Sequence, residues 1–270
     1  MVPPPLLSPV PSDSLAALVR ARDPDRFLTA LFAPPPRREA LLTLYAFASE
    51  LDRAIAVTSE PHLALIRLHW WREVVEGARK PHEAATPLTA LLDRGMLTPE
   101  LLLPVMEAWE TEAEPAIETM DAWRAWQLAG AGGLAVAAAY LLGAREPETA
   151  RGPGAAHGVA RTLRWNATLA ARGRCLLPVD VLAAEGVTRE EAIAAPSAAP
   201  VQAVLRRLAA EGEAFLKQSP RVPVSRAMVA AFLPGVLARR DLRGPFPARP
   251  APRGLGDRLA VMAAGLTGQV

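Results

Sequence analysis

The sequence has little that would place the chain among secreted, nucleic-acid-binding or membrane-spanning proteins. It contains one cysteine, Cys175, which excludes an internal disulfide and fits a reducing compartment. Its 30 basic and 28 acidic side chains leave a net charge of only +2. Because this excess is small and the arginines are scattered among acids, no clustered basic patch indicates a nucleic-acid partner.

Long apolar runs are also missing. The longest, residues 128–143, is short for a membrane span and rich in glycine and alanine, so we expect a buried helix packed closely against its neighbours. Residues 1–11 lack the charged start and the long apolar core of a signal peptide. We therefore expect a cytoplasmic protein without a spanning segment, with peripheral attachment at the inner membrane left open.

Helical periodicity is present along nearly the whole chain. Apolar residues recur three and four positions apart, and no segment shows the sustained alternation of a strand. This pattern predicts an all-α protein with a single domain over residues 12–270, after a proline-rich, disordered stretch at residues 1–11. Helices are expected at about residues 12–22, 24–32, 37–57, from 61, from 99, and at 121–142, 147–172, 179–185, 188–195, 200–217, 224–240 and 257–268.

The helix expected at residues 37–57 carries the most informative residue, Asp52. One face of that helix should be buried, formed by Leu41, Leu44, Tyr45, Ala48, Leu51, Ile55 and Ala56. Asp52 lies on the same face. A carboxylate there is costly unless it is paired, hydrogen-bonded or bound to a metal. The surroundings of Asp52 therefore decide the function.

Two short motifs mark a family resemblance. Tyr45-Ala46-Phe47 followed by Asp52 resembles the first acidic motif of the squalene/phytoene synthase family, and Gly173-Arg174 with Leu177-Pro178 resembles the segment after its second motif. The resemblance covers about residues 23–240 and implies an isoprenoid synthase-type helical bundle around a central cavity. It also implies head-to-head condensation of isoprenyl diphosphates, with Mg²⁺ held by two acidic clusters.

The residues at the metal-binding positions depart from the family's pattern. In the first motif, Arg53 and Ala56 stand where the family has aspartates. Residues 23–27 place two acids where the family has serines for the diphosphate. Counting back from Gly173, the positions of the second motif hold Gly158, Arg161, Arg164, Trp165 and Leu169, of which the last two replace aspartates. These departures predict that no Mg²⁺ cage forms.

A further stretch resembles a non-catalytic branch of the family. Residues 66–73, preceded by residues 59–61, are similar to the branch that includes a mitochondrial complex I assembly factor. This resemblance implies a catalytically degenerate protein without a cofactor that binds a protein partner, such as a respiratory complex I subunit, with an isoprenoid or other lipid as a candidate ligand. The alternative is an active head-to-head prenyltransferase of the squalene or phytoene synthase type, which would need Mg²⁺.

The candidate site residues follow from these motifs. No residue is assigned a catalytic or metal-binding role, and Asp52 is interpreted as vestigial. We expect Asp52 to pair with an arginine, Arg53 being adjacent. Arg53, Arg164 or Arg174 could lie near the polar end of a bound lipid and bind its anionic head group. The pocket candidates are Tyr45, Asp52, Arg53, Arg164, Trp165 and Arg174.

Two helical segments allow a structural or a functional interpretation. Glu107, Glu110 and Glu114 share a helix face and could form a rebuilt metal site, but such acidic runs are usually solvated. Trp70 and Trp71 could stack on a ligand, although packing in the core is the commoner role. The buried side of their helix is expected to consist of Leu63, Ile66, Trp70 and Val74.

Overall fold

The computed structural model describes residues 12–58, 60–219, 224–246 and 250–270, and every regular element in these ranges is helical. The all-α fold class is therefore confirmed, while the disorder predicted for residues 1–11 lies outside the described residues. The α-helices are α1 (Ser12–Arg22), α2 (Pro24–Ala30), α3 (Pro35–Ala56), α4 (Pro61–Val75), α5 (Ala85–Asp93), α6 (Pro99–Ala113), α7 (Met120–Gln127), α8 (Gly133–Leu141), α9 (Arg151–Ala170), α10 (Val179–Ala184), α11 (Arg189–Ala194), α12 (Ala199–Gln218), α13 (Val229–Asp241) and α14 (Leu255–Thr267).

Helix α3 lies at the centre of the molecule. Pro35 and Pro36 occupy its first turn, where a missing N–H costs nothing, and no glycine or proline interrupts the residues that follow. Every residue from Ala40 to Leu51 is buried, because the helix contacts α1, α2, α4, α5, α6 and α8. The prediction of a single buried face was thus too narrow, and Ala56, placed on that face, is exposed.

The buried face of α4 differs from the predicted one. Leu63 and Ile66 are 37% and 63% exposed, whereas Ala64, Leu68, Trp71 and Val75 are buried. Trp71 lies on this buried side, where its ring packs edge-on against Phe47 of α3 at a centroid distance of 5.6 Å. The prediction that Leu63 and Ile66 are buried was wrong, because α4 has apolar residues all around and more than one of its faces could have been the buried one.

Residues 128–132 form a π-helical segment that joins α7 to α8. The single helix predicted for residues 121–142 therefore contains a local widening. A Cβ on Gly132 would lie 3.0 Å from the backbone oxygen of Arg151, and one on Gly133 would lie 3.0 Å from Val105. Only glycine lets α6 and α9 come this close to residues 132 and 133, and the sequence had predicted such close packing for this segment.

Several boundaries differ from the sequence-based ones. Helix α5 was not predicted. Gly152-Pro153-Gly154 lies within the first turns of α9 and does not break it, because a proline near a helix start has no hydrogen bond to lose. Helix α13 begins at Val229 rather than at residue 224. None of the described helices is both long and apolar enough to cross a membrane.

The corrected face of α4 gives a matched pair of substitutions. Leu68→Ala should lower the free energy of unfolding by about 2–5 kcal/mol, because it leaves a cavity beneath the helix. Ile66→Ala, on the exposed side, should change it by less than about 0.5 kcal/mol. Urea denaturation of both variants measures the two values, and equal losses would contradict the observed orientation.

Candidate functional site

Asp52 lies where α3, α6 and α9 meet, and both of its carboxylate oxygens are occupied. One oxygen accepts a hydrogen bond from the guanidinium of Arg161 on α9 at 2.6 Å. The other accepts a hydrogen bond from the indole Nε1 of Trp109 on α6 at 3.1 Å. The side chains of Asp52 and Arg161 are 25% and 39% exposed, so this pair is partly open to solvent. A short bond between opposite charges is the strong form of hydrogen bond.

Arg161 is surrounded by more than one carboxylate. The negative charge of Asp52 raises the pKa of Arg161 above its ordinary value, and Asp23 and Glu112 act in the same direction against the effect of burial. The guanidinium therefore stays charged at any pH the fold tolerates. Its positive charge attracts three carboxylates from separate parts of the chain, those of Asp52, Asp23 and Glu112.

Glu112 and Arg174 extend this arrangement beyond Asp52. Arg174 donates to the backbone oxygen of Glu112 at 3.0 Å and to its carboxylate at 3.3 Å. Burial raises the pKa of Glu112, and the negative charge of Asp52 adds to that rise, while Arg174 and Arg161 oppose it. Glu112 of the acidic run therefore faces inward and pairs with an arginine.

On the other side of Arg161, the start of α2 contributes charges. The carboxylate of Asp23 accepts from the backbone N–H and the guanidinium of Arg26, at 2.9 and 2.8 Å, and so caps α2. The guanidinium carbon of Arg26 lies 5.8 Å from the centre of the Tyr45 ring. Tyr45 is 2% exposed, and this burial raises the pKa of its hydroxyl above the ordinary value.

Arg253 joins the start of α2 to the end of α13. It donates two bonds to Asp25, at 2.8 and 2.6 Å, and two to Asp241, both at 2.7 Å. Arg164 and His157 lie 3.7 and 4.0 Å from Asp25. Burial raises the pKa of Asp25, but the bonds from Arg253 and His157 outweigh it and hold that pKa far below its usual range. Burial lowers the pKa of His157, which favours its neutral form.

These groups form one continuous arrangement, which we call the central ion cluster. Five carboxylates and five guanidiniums belong to it, together with one imidazole, so that their formal charges cancel. Its members come from α2, α3, α6, α9, the end of α13 and the segments that follow α9 and precede α14. Its members are Asp23, Asp25, Arg26, Asp52, Glu112, His157, Arg161, Arg164, Arg174, Asp241 and Arg253.

The structure brings four of the six pocket candidates to this region. Asp52, Arg164 and Arg174 are members of the central ion cluster, and Tyr45 packs against it. Arg53 does not pair with Asp52, since it lies 3.4 Å from Glu50 and its side chain is 54% exposed. Trp165 is 43% exposed and stands apart from the cluster. On a helix, neighbouring residues point in directions about 100° apart, which explains both separations.

Sequence reasoning missed several members. Arg161 was noted only as a departure from a motif, and it lies 109 residues from the carboxylate it binds. The signal that could have found it is the spacing of His157, Arg161 and Arg164, which puts all three on one face of α9. Arg253 sits in a proline- and glycine-rich segment without periodicity, so no sequence pattern pointed to it.

The residues around Asp52 do not fit a magnesium cage. A Mg²⁺ ion takes oxygen ligands in near-octahedral geometry, and at least one or two free carboxylates are needed to hold it. Here both oxygens of Asp52 accept from Arg161 and Trp109. Within the described part of the chain, no group of three or more His, Cys, Asp or Glu side chains could hold a metal ion.

The acidic run of α6 does not converge on a common point either. Glu110 is bound by the guanidinium of Arg72 from α4, with distances of 2.9 and 3.0 Å. Glu107 and Glu114 are exposed. The run is therefore divided between an ion pair with a neighbouring helix, the central ion cluster and solvent.

Two depressions on the surface lie away from Asp52. One, of about 270 Å³, is lined by α12 and residues 242–246. The other, of about 450 Å³, is formed by α1 and Phe27. Neither is lined by any of the predicted pocket residues.

Comparison with known proteins gives a consistent assignment. A family model described as squalene/phytoene synthase matches residues 19–244. The chain is similar to NADH dehydrogenase (ubiquinone) complex I, assembly factor 6, from Homo sapiens, with 24% identity over 210 residues, 75% of this chain and 63% of that protein. The Rattus norvegicus protein of the same name is 26% identical over 223 residues, 80% of this chain and 67% of its own length. The chain thus spans about 63% of the length of the human relative.

Solved structures share the fold at low sequence identity. The crystal structure of a dehydrosqualene synthase in complex with ligand superposes with a TM-score of 0.75 at 14% identity, covering 95% of both chains. Squalene synthase HpnC from Alicyclobacillus acidocaldarius superposes with a TM-score of 0.66 at 17% identity, covering 86% of this chain and 91% of that chain. These matches identify the architecture as the all-α fold of those synthases.

The bonds to Asp25 give a prediction that depends on pH. Arg253→Ala leaves two largely buried carboxylates without their partner, and should lower the free energy of unfolding by about 3–5 kcal/mol at neutral pH. The depressed pKa of Asp25 stabilises the folded state above the ordinary pKa of aspartate, and this stabilisation is lost as pH falls. The difference between wild type and variant should therefore narrow below about pH 4.

Urea denaturation at neutral and acidic pH measures this difference. Arg53→Ala is the matched control, since its exposed guanidinium should contribute less than about 1 kcal/mol. A loss in Arg253→Ala that stays constant down to acidic pH would show that the ion pairs with Asp25 are not its source.

Proposed function

The chain belongs to the squalene/phytoene synthase family, and we propose that it is a catalytically degenerate member that acts by binding a protein partner during assembly of respiratory complex I. The observation that carries this proposal is the pairing of Asp52 with Arg161 and Trp109. The carboxylate that would hold a metal in a synthase is here bound to a cation and to an indole.

Electrostatics support the loss of synthase chemistry. Ionising an isoprenyl diphosphate requires positive charge to stabilise the departing diphosphate, which metal ions commonly supply. The formal charges of the central ion cluster cancel, so it offers no surplus of positive charge to a diphosphate. A diphosphate entering this region would have to displace carboxylates from guanidiniums, and each such separation is costly away from water. We therefore propose that the protein works without Mg²⁺ or another cofactor.

Similarity to named relatives supports the proposal that the protein partner belongs to complex I. The human and rat proteins that match this chain are both named as complex I assembly factor 6. The matches cover 75% of this chain for the human protein and 80% for the rat protein. A complex I subunit or assembly intermediate is accordingly the partner that we propose, with the protein acting on the cytoplasmic side of the membrane that holds the complex.

The surroundings of the arginines give less support to a lipid or isoprenoid ligand than to a protein partner. Arg164 and Arg174 were expected near the polar end of such a ligand, but both already face carboxylates. Arg53 also lies near a carboxylate, that of Glu50 at 3.4 Å, and its side chain is exposed. A protein partner requires none of these arginines to be released.

The absence of synthase activity can be measured directly. Purified protein, incubated with Mg²⁺ and either farnesyl or geranylgeranyl diphosphate, should release diphosphate no faster than a blank without protein. Asp52→Asn keeps the size of the side chain but weakens any metal ligation, so it should behave like the wild type in this assay. Mg²⁺-dependent release that is present in the wild type and lost in Asp52→Asn would establish the alternative, an active head-to-head prenyltransferase.

The partner can be tested in cells. Deleting the gene should reduce assembled complex I while leaving squalene, carotenoid and hopanoid contents unchanged. Reintroducing Asp52→Asn should restore assembly as well as the wild-type gene does, because the proposed role needs no chemistry at Asp52. Thermal unfolding of the purified variant checks beforehand that it is folded. A deletion that changes isoprenoid content and leaves complex I intact would overturn the proposal.

A further inference from the structure

Helix α14 presents a row of exposed apolar side chains to its surroundings. Four of the ten large hydrophobic residues that are exposed in the described part of the chain belong to this one helix of 13 residues. Their spacing of four, three and four positions places them on a single line along the helix. They are Leu255, Leu259, Met262 and Leu266, which are 73%, 53%, 47% and 60% exposed.

The opposite face of α14 fixes the helix to the rest of the fold. Val261 and Ala264 are buried in a small core with Leu233 and Leu237 of α13. A Cβ on Gly265 would lie 2.3 Å from the ring of Phe32, so the helix approaches the end of α2 closely. The apolar row is therefore a fixed surface rather than a segment waiting to fold into the core. Isolated exposed leucines are ordinary, but a continuous row on a docked helix is not.

Arginines surround the row. Arg258 is exposed on α14 itself, between Leu255 and Leu259. Arg240 binds Asp257 at 2.7 Å near the first turn of the helix, and Arg226 donates to the carbonyl of Leu266 at 3.4 Å near its last turn. Both of these arginines are exposed.

The basic character extends through the last part of the chain. Residues 224–270 contain seven arginines and two aspartates, with no lysine and no glutamate. The remainder of the chain must then carry a net negative charge, since the whole chain carries only +2. The expectation that the arginines are scattered among acids is thus incorrect for this region.

These charges discriminate between the possible occupants. A second copy of the chain would bring two sets of arginines together around one apolar seam, which is unfavourable. A protein partner must usually cover about 800 Å² to bind stably, whereas a single row of four partly exposed side chains offers much less. An anionic bilayer needs no matching groove, because apolar side chains enter the boundary of the acyl chains while arginines meet the head groups.

From the row, its fixed position and its arginines, we propose that α14 docks the protein on the surface of an anionic lipid bilayer. The helix lies in the plane of the interface with Leu255, Leu259, Met262 and Leu266 inserted. The contact is peripheral, and it is independent of whether the protein assists assembly of complex I or acts as a synthase.

Vesicle sedimentation tests the docking. The purified chain should bind vesicles of phosphatidylglycerol and phosphatidylcholine in equal parts, and should bind pure phosphatidylcholine far more weakly. Raising the salt concentration should release it, because screening weakens the attraction of arginines to the head groups. Leu259→Gln should weaken binding about tenfold through the lost insertion of a leucine. Arg258→Gln should weaken it about fivefold, the share of one arginine near such a surface.

Matched controls come from α4, which has its own exposed residues. Ile66→Gln and Arg67→Gln make the same kinds of change at exposed positions of that helix and should leave vesicle binding unaltered. All four positions are exposed, so thermal unfolding should shift little in any variant.

Three results would overturn the docking. The first is failure to bind the anionic vesicles, and the second is binding that neither Leu259→Gln nor Arg258→Gln weakens. The third is self-association in sedimentation velocity that Leu259→Gln abolishes, because it would show that a second copy of the chain covers the row. Loss of vesicle binding with normal assembly of complex I would refute the docking alone. Normal vesicle binding with unaltered complex I in the deletion strain would refute the proposed function alone.

Discussion

The ion pair between Asp52 and Arg161 is the constraint on which the rest of the interior depends. Asp52 lies on the central helix α3 and its side chain is only 25% exposed, so its charge needs a partner, and here the partner is a guanidinium on a helix far away in sequence. Arg161 in turn brings Asp23 and Glu112 into its field, and each of these acids has an arginine of its own. One partly buried charge is thereby linked to a series of compensating charges on α2, α3, α6 and α9.

The central ion cluster fixes the relative positions of the helices more than it stabilises the folded state. Desolvating ten charged groups offsets most of what their attraction contributes, so replacing a whole pair by apolar residues could be neutral, whereas removing one partner is costly. The bidentate contacts of Arg253 fix α2, α13 and the segment before α14 in one arrangement. The same arrangement holds α14 with its apolar row outward.

Sharing the fold of the synthases does not assign their chemistry to this protein. The architecture superposes on a dehydrosqualene synthase over 95% of the chain, and the carboxylates of the central ion cluster are paired with arginines. Fold alone does not determine function, because function depends on the side chains at a site. The surface offers a separate feature, since α14 combines exposed leucines with arginines.

The sequence by itself determined most of the helices, the family resemblance and the unusual position of Asp52 in a motif without its other aspartates. These features depend on residues close together in sequence: helical periodicity, proline at helix starts and the motif around Tyr45. They can therefore be recognised without knowing the fold. The sequence could not determine which face of α4 is buried, because Leu63, Ile66, Leu68 and Trp71 are all apolar and the packing of α4 against α3, α5 and α6 selects between them. Nor could it match Asp52 with Arg161 in preference to Arg53, or find Arg253. Such pairings depend on distances between residues remote in sequence, and only the packing of the helices sets those distances.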